Sequence, residues 1–228
     1  MIKEILTVKN EENIEKLSIR CDEIDTKKQN AEMRQIILDL KHTLAEHKDG
    51  CGLSASQIGY DKRIFVINFN GDIRTFINPV IADAKGLTLN RESCLSIPDK
   101  TFIRPRHTEI MVMYQTPLGK TESRKMFGMA ACVFQHELDH LDGLILSDVG
   151  LEIGEDFDKA PQEEKDEVIK AYLDSLDLKL KDLNKEIEEN DELKQTNNAI
   201  KFMEKVQKGE ITFEHVRKEE QNGYKRSN

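Results

Sequence analysis

The chain has 228 residues, 38% hydrophobic and 34% charged, with a formal net charge of −9. That length suits one globular domain of common size, or one domain with an appendage, and the apolar fraction suffices for a core, which excludes wholesale disorder. No apolar run approaches ~18 residues, so no transmembrane helix is predicted, and the acidic balance argues against broad electrostatic binding of nucleic acid.

The start, MIKEILTVKNEENIEKL, carries acidic residues where a secretory signal has its apolar stretch. It predicts neither a signal nor a transit peptide, hence a cytoplasmic location. Residues 29–48 read as a helix, with Ile36, Ile37, Leu40 and Leu44 on one face, ending by Gly50. Residues 63–69 (RIFVINF) are a buried strand, and Asn70-Gly71 signals a tight hairpin. Thr75–Ile81 is a second strand, with Pro79 limiting it to an edge or an end. Glu109–Gln115 is another strand, turned by Pro117-Leu-Gly119. Residues 128–141 are helical, with Met129, Cys132, Val133 and His136 on one face. Strands with one or two helices make the body α+β.

The charge changes beyond residue 150. Residues 1–150 are nearly neutral at −2, whereas 151–228 carry −7. In this extension Pro161 sits at a first helical position, and Glu163 and Glu164 suit the positive end of a helix dipole. Ile169, Leu173, Leu176, Leu180, Leu183 and Ile187 then form an apolar stripe at spacings of three and four. A shorter helix is predicted over 198–208, and a frayed polar end from about Glu219.

His136-Glu-Leu-Asp-His140 is an H-E-x-x-H sequence inside the second helix. Histidines four apart share a helix face, so both rings can reach one metal ion, and Glu137 stands beside them as a base toward water. A third protein ligand is needed. The H-E-x-x-H-x-x-G-x-x-H pattern fails at its last position, Leu146. Glu152, Glu155 and Glu163 lie downstream, and Cys94 lies upstream in Glu92-Ser-Cys-Leu-Ser96. A thiolate with two imidazoles suits Fe(II), Zn or Co and disfavours Mg or Ca. Four cysteines (Cys21, Cys51, Cys94, Cys132) without a close pair read as buried residues, a ligand or a nucleophile, not a disulfide frame.

Three ordered segments together resemble the peptide deformylase family. Gly50-Cys-Gly-Leu-Ser-Ala-Ser-Gln57 resembles its G-x-G-L-A-A-x-Q motif, Glu92-Ser-Cys-Leu-Ser96 its E-G-C-L-S motif, and Gln135-His-Glu-Leu-Asp-His140 its Q-H-E-x-D-H motif. Phe76-Ile-Asn-Pro79 and Ile97-Pro98 belong to the same resemblance, which spans residues 1–149. Ser54 stands where the family usually has alanine, and Ser93 where it has glycine. The resemblance implies antiparallel sheets around a central metal-binding helix, followed by a helical extension over 150–228. It implies one divalent metal, Fe(II) foremost, with Zn, Ni or Co as alternatives, held by Cys94, His136 and His140. It also implies Glu137 as the proton carrier, and Gln57 with the Leu95 backbone N–H as oxyanion donors. Met129, Cys132 and Val133 would line a pocket for an unbranched side chain, with Gly50 and Gly52 letting a substrate strand approach. Glu92 would pair with Arg106. The implied reaction removes the formyl group from the N-formylmethionine of nascent polypeptides near the ribosome, releasing formate.

Two other readings compete. A peptidase of the H-E-x-x-H kind would use a glutamate ligand and survive loss of Cys94. A catalytically weak binding protein would act through the extension, whose 164–188 helix packs on the body, pairs with another subunit or partner protein, or stays loosely ordered. The acidic tail disfavours direct docking on RNA.

Overall fold

A computed structural model of the chain describes residues 1–26 and 31–189, with side chains up to Leu176. In chain order the elements are α1 (Glu11–Leu17), α2 (Ala31–Glu46), β1 (Gly52–Ser54), a 3₁₀ turn (Ala55–Ile58), β2 (Ile64–Phe69), β3 (Asp72–Lys85), β4 (Thr88–Cys94), β5 (Ile97–Arg106), β6 (Glu109–Gln115), β7 (Thr121–Phe127), α3 (Met129–Leu141), α4 (Leu146–Val149), β8 (Leu151–Ile153), α5 (Glu155–Lys159) and α6 (Gln162–Glu189). Five strands form one antiparallel sheet in the order β1-β2-β3-β6-β7, and β4-β5-β8 form a second. The fold is α+β, as its composition of elements predicts.

The β2–β3 hairpin follows from two residues. Phe69 pairs with Asp72, and the intervening Asn70 and Gly71 take φ of 53° and 96°. That double positive φ is the type I′ turn that matches strand twist. Strand β2 is buried on both faces. Ile64 and Val66 pack with Met33, Ile36, Leu40 and Leu44 of α2. Phe65 and Ile67 face the other way, with Phe76 and Phe134. The Phe134 ring meets Phe65 and Phe76 edge-on, at centroid distances of 5.0 and 5.4 Å. So α2 covers one face of the large sheet and α3 the other. A third cluster, with Leu17, Cys94, Ile97, Phe102, Ile145 and Leu146, packs around the small sheet.

Pro79 corrects one expectation. The strand that holds it is neither an edge nor at its end: β3 runs to Lys85 between β2 and β6. Its register against β6 shifts between Ile77 and Val80, and Asn78 has φ 47°. A bulge is where an internal strand tolerates a residue without an N–H. The Asn78 side chain stabilises it, accepting from Ile24 N–H at 3.0 Å and donating to Ile24 O at 2.9 Å.

The short elements α1, β1, α4, β8 and α5, and the strands β4, β5 and β7, carry no clear period in the sequence. β5 contains Pro98 and Pro105, which hide it as a strand.

The chain divides into two units, one over residues 1–161 and a second that begins at Gln162. In the second, α6 begins at Gln162, directly after Pro161, with Glu163 and Glu164 in its first turn. The stripe side chains Leu180, Leu183 and Ile187, the helix predicted over 198–208 and the end from Glu219 lie outside the described side chains or residues. No described helix is long and apolar enough to cross a membrane.

Candidate metal centre and its cavity

Helix α3 carries the centre. Its apolar side, with Ala131, Phe134 and Leu141, is buried against Phe65 and Phe76, and it stops where Gly143 takes φ 75°. A side chain at Gly143 would collide with the Ser18 carbonyl oxygen, its Cβ lying 2.4 Å away, so glycine is required. One helical turn apart, the His136 and His140 rings lie 5.0 Å between centroids. Strand β4 ends at Cys94, opposite them. The thiol, one nitrogen of each imidazole, and no other such trio among the described residues, lie within 4.8 Å of one another. His140 Nε2 is 3.2 Å from Cys94 Sγ.

The electrostatics suit a cation. Burial alone would push the Cys94 thiol up, but the His140 and His136 imidazoles pull it well below an ordinary thiol. The His136 Nδ1 is 2.9 Å from Glu92 Oε2, which accepts its proton and leaves Nε2 as the free donor atom. Glu92 is held in turn by two hydrogen bonds from Arg106, Nε to Oε1 at 2.6 Å and an Nη to Oε2 at 2.8 Å. Burial raises the Glu92 carboxyl, yet Arg106 and His136 bring it down to about 2. Arg106 also donates to Asp139 at 2.7 Å, and Arg104 pairs with Asp139 at 3.2 Å. Asp139 therefore braces this network. A soft thiolate with two imidazoles, one oriented by a carboxylate, fits a transition-metal ion of the Fe(II) or Zn kind.

Glu137 is the next group. It is 3% exposed, and burial raises its carboxyl above the ordinary carboxylate range, against the pull of the two histidines. Gln57 is placed by the 3₁₀ turn: Ser54 N–H donates to its Oε1 at 2.9 Å, which aims Nε2 at Ser96 Oγ, 3.2 Å away, and Cys94 Sγ, 3.6 Å away.

These groups share a cavity of about 970 Å³, lined by both sheets and α3. Gly50, Gly52, Gln57, Cys94, Leu95, Met129, Cys132, Val133, His136 and Glu137 all line it, and His140 lies behind, bonded to Cys94. Met129 stands at the exposed rim and Cys132 is buried. The two glycines have internal neighbours as well. A Cβ at Gly52 would lie 2.4 Å from Glu137 Oε1, and one at Gly50 2.9 Å from Leu44 Cδ1.

The downstream glutamates lie elsewhere. Glu152 pairs with Lys100 at 2.8 Å and Glu155 with Lys159 at 2.7 Å. Ser93 has no positive φ and sits at a register shift of β4, so the missing glycine strains nothing. Two residues escaped the sequence reading. His47 lines the cavity, although it matches no ligand pattern. The Ser54 hydroxyl, noted only as a departure, lies 2.6 Å from Glu137 Oε2.

Residues 2–151 match the polypeptide deformylase family. The peptide deformylase of Dictyoglomus turgidum is 32% identical over 136 residues, 60% of this chain and 87% of that protein. That of Fusobacterium nucleatum is 39% identical over 127 residues, 54% of this chain and 71% of that one. The crystal structure of the Thermotoga maritima peptide deformylase superposes with a TM-score of 0.59 at 30% identity, covering 65% of this chain and 97% of that one. A Legionella pneumophila peptide deformylase, 23% identical, shares the fold at a TM-score of 0.59, covering 79% and 98%.

Proposed function

The chain belongs to the polypeptide deformylase family, a family of metal-dependent hydrolases that free nascent polypeptides of their N-formyl group, and we propose that Glu137, Gln57 and the Cys94–His136–His140 trio are the groups with which it does so. One observation carries this reading: the buried Glu137 carboxylate opens into a single cavity with Cys94 and His136, and His140 completes their trio from behind.

A divalent metal held by Cys94, His136 and His140 would supply a water of lowered pKa and polarise the formyl carbonyl. Glu137, buried on the cavity wall, would take a proton from the attacking water and return it to the departing amine. Burial raises this carboxyl above the ordinary carboxylate range, which suits a group that both accepts and donates a proton. Gln57 Nε2, pinned through its Oε1, donates to the oxygen that gains charge, together with the Leu95 backbone N–H. Fe(II) is the metal we assign, with Zn, Ni and Co as occupants the donor set also accepts.

The substrate is a formylmethionyl polypeptide lying as an added strand. β1 is an edge of the large sheet and β4 an edge of the small one. Both border the cavity, so a peptide backbone has unpaired strand edges to meet. Met129, Cys132 and Val133 receive the methionine side chain. The work takes place beside the ribosome, without direct binding of RNA by the acidic tail, in the cytoplasm. The catalytic groups lie within residues 1–149, and of the extension over 150–228 it is the 164–188 helix that contacts a protein partner or a second copy.

The test is formate release from a formyl-methionyl peptide by anaerobically purified, Fe(II)-reconstituted protein, beside Glu137→Ala. The parent turns over, and the variant keeps its metal but loses about 10²–10⁴-fold in kcat. A variant as active as the parent excludes Glu137 as the proton carrier. Retained formate release in Cys94→Ala would exclude Cys94 as a necessary ligand.

A further inference from the structure

Ser54 is wholly buried, and its hydroxyl points at Glu137. The Oγ lies 2.6 Å from Glu137 Oε2 and 3.0 Å from the Glu137 carbonyl oxygen. Among the described residues Ser54 is the one side chain that donates to this carboxylate. The other oxygen, Oε1, fills the space left by the absent side chain of Gly52, two residues earlier on β1. Residues i and i+2 of a strand share a face. One face of β1 is therefore a cradle for the carboxylate: a donor for one oxygen, a gap for the other.

We propose that Ser54 is a positioning residue for the reaction, its hydroxyl holding Glu137 Oε2 so that Oε1, beside Gly52 on the cavity wall, is the oxygen that exchanges the proton. The inference rests on Glu137 being the proton carrier. A carboxylate on a flexible two-carbon stem has rotamers to lose, and a buried charge-assisted hydrogen bond fixes one of them before substrate arrives. The backbone of the same residue orients Gln57 through its N–H. A single residue thus sets the proton carrier with its side chain and the oxyanion donor with its main chain. Replacement by alanine removes only the first of these.

The experiment compares the parent, Ser54→Ala, Glu137→Ala and the double variant, all Fe(II)-loaded. Ser54→Ala is expected to lower kcat about 10- to 100-fold, the worth of a hydrogen bond to a charged group, with KM and bound metal unchanged. Unfolding free energies of the four proteins are expected to be non-additive, since the hydroxyl and the carboxylate interact. A kcat within twofold of the parent overturns the proposal. So does loss of metal in step with kcat, which would place the effect in the ligands, and so do additive unfolding energies. The unfolding cycle needs no turnover, so it decides the Ser54–Glu137 contact even where the parent releases no formate.

Discussion

Glu92 shows how much one residue's surroundings decide. By sequence it is a charge two residues before a cysteine. In the fold it is buried, accepts two hydrogen bonds from Arg106 and one from His136, and titrates at about 2. Its folded pKa is depressed, so its stabilisation is complete above the unfolded value near 4.5 and is lost as pH falls toward 2. Acid unfolding of Glu92→Gln, followed by circular dichroism, is therefore expected to be flatter than the parent's between pH 4.5 and 2. The same substitution removes the carboxylate that orients His136. Chelator competition should show metal affinity reduced about 10- to 100-fold. Unchanged affinity would mean that His136 keeps its orientation without Glu92. The two histidines of the proposed ligand set were legible because H-E-x-x-H carries a spacing and a chemistry. Cys94 was legible only through the motif around it, since a lone cysteine has no period.

At the scale of an element, β1 has the greatest effect for its length. Three residues long, it pairs Gly52, Leu53 and Ser54 with Ile67, Val66 and Phe65. Leu53 is buried in the α2 cluster, whereas Gly52 and Ser54 meet Glu137. Gly52→Ala would set its Cβ against the carboxylate, with Oε1 at 2.4 Å and Cδ at 2.8 Å. The side chain must move, so kcat should fall by about 10²-fold or more, as a misplacement of ~1 Å can cause. A thermal melt close to the parent's would show that the fold is intact, and a full kcat would show that Glu137 has a second productive rotamer. Long periodic elements, α2 and α3 above all, were readable from spacing. β1 was not, since three residues hold no period, and β3 was misjudged at Pro79 because a bulge depends on its partner strand.

At the scale of the whole molecule, compact packing reaches beyond the motif-bearing residues. Leu151–Ile153 adds β8 to the small sheet, with Ile153 against Thr101. Glu152 pairs with Lys100, and Arg91 pairs with Asp158, so the strap after Val149 ties down two cationic residues of the cavity rim. A chain ending at Pro161 should melt within a few degrees of full length and keep its kcat. One ending at Val149 loses β8 and the burial of Ile153, about 2 kcal/mol, and should melt several degrees lower. Equal melting of the two truncations would show that β8 adds nothing.

The amino-acid sequence by itself determined the metal chemistry, the α+β class and the family, because helix spacing and ordered short motifs survive as patterns along one dimension. The tertiary structure alone decided what those residues touch. It brought Cys94 at the end of β4 to the histidines of α3, braced Glu92 and Asp139 on Arg106, and set the Ser54 hydroxyl against Glu137, 83 positions away. Contacts of that kind follow from how two sheets close on one helix, and no local pattern of residues encodes them.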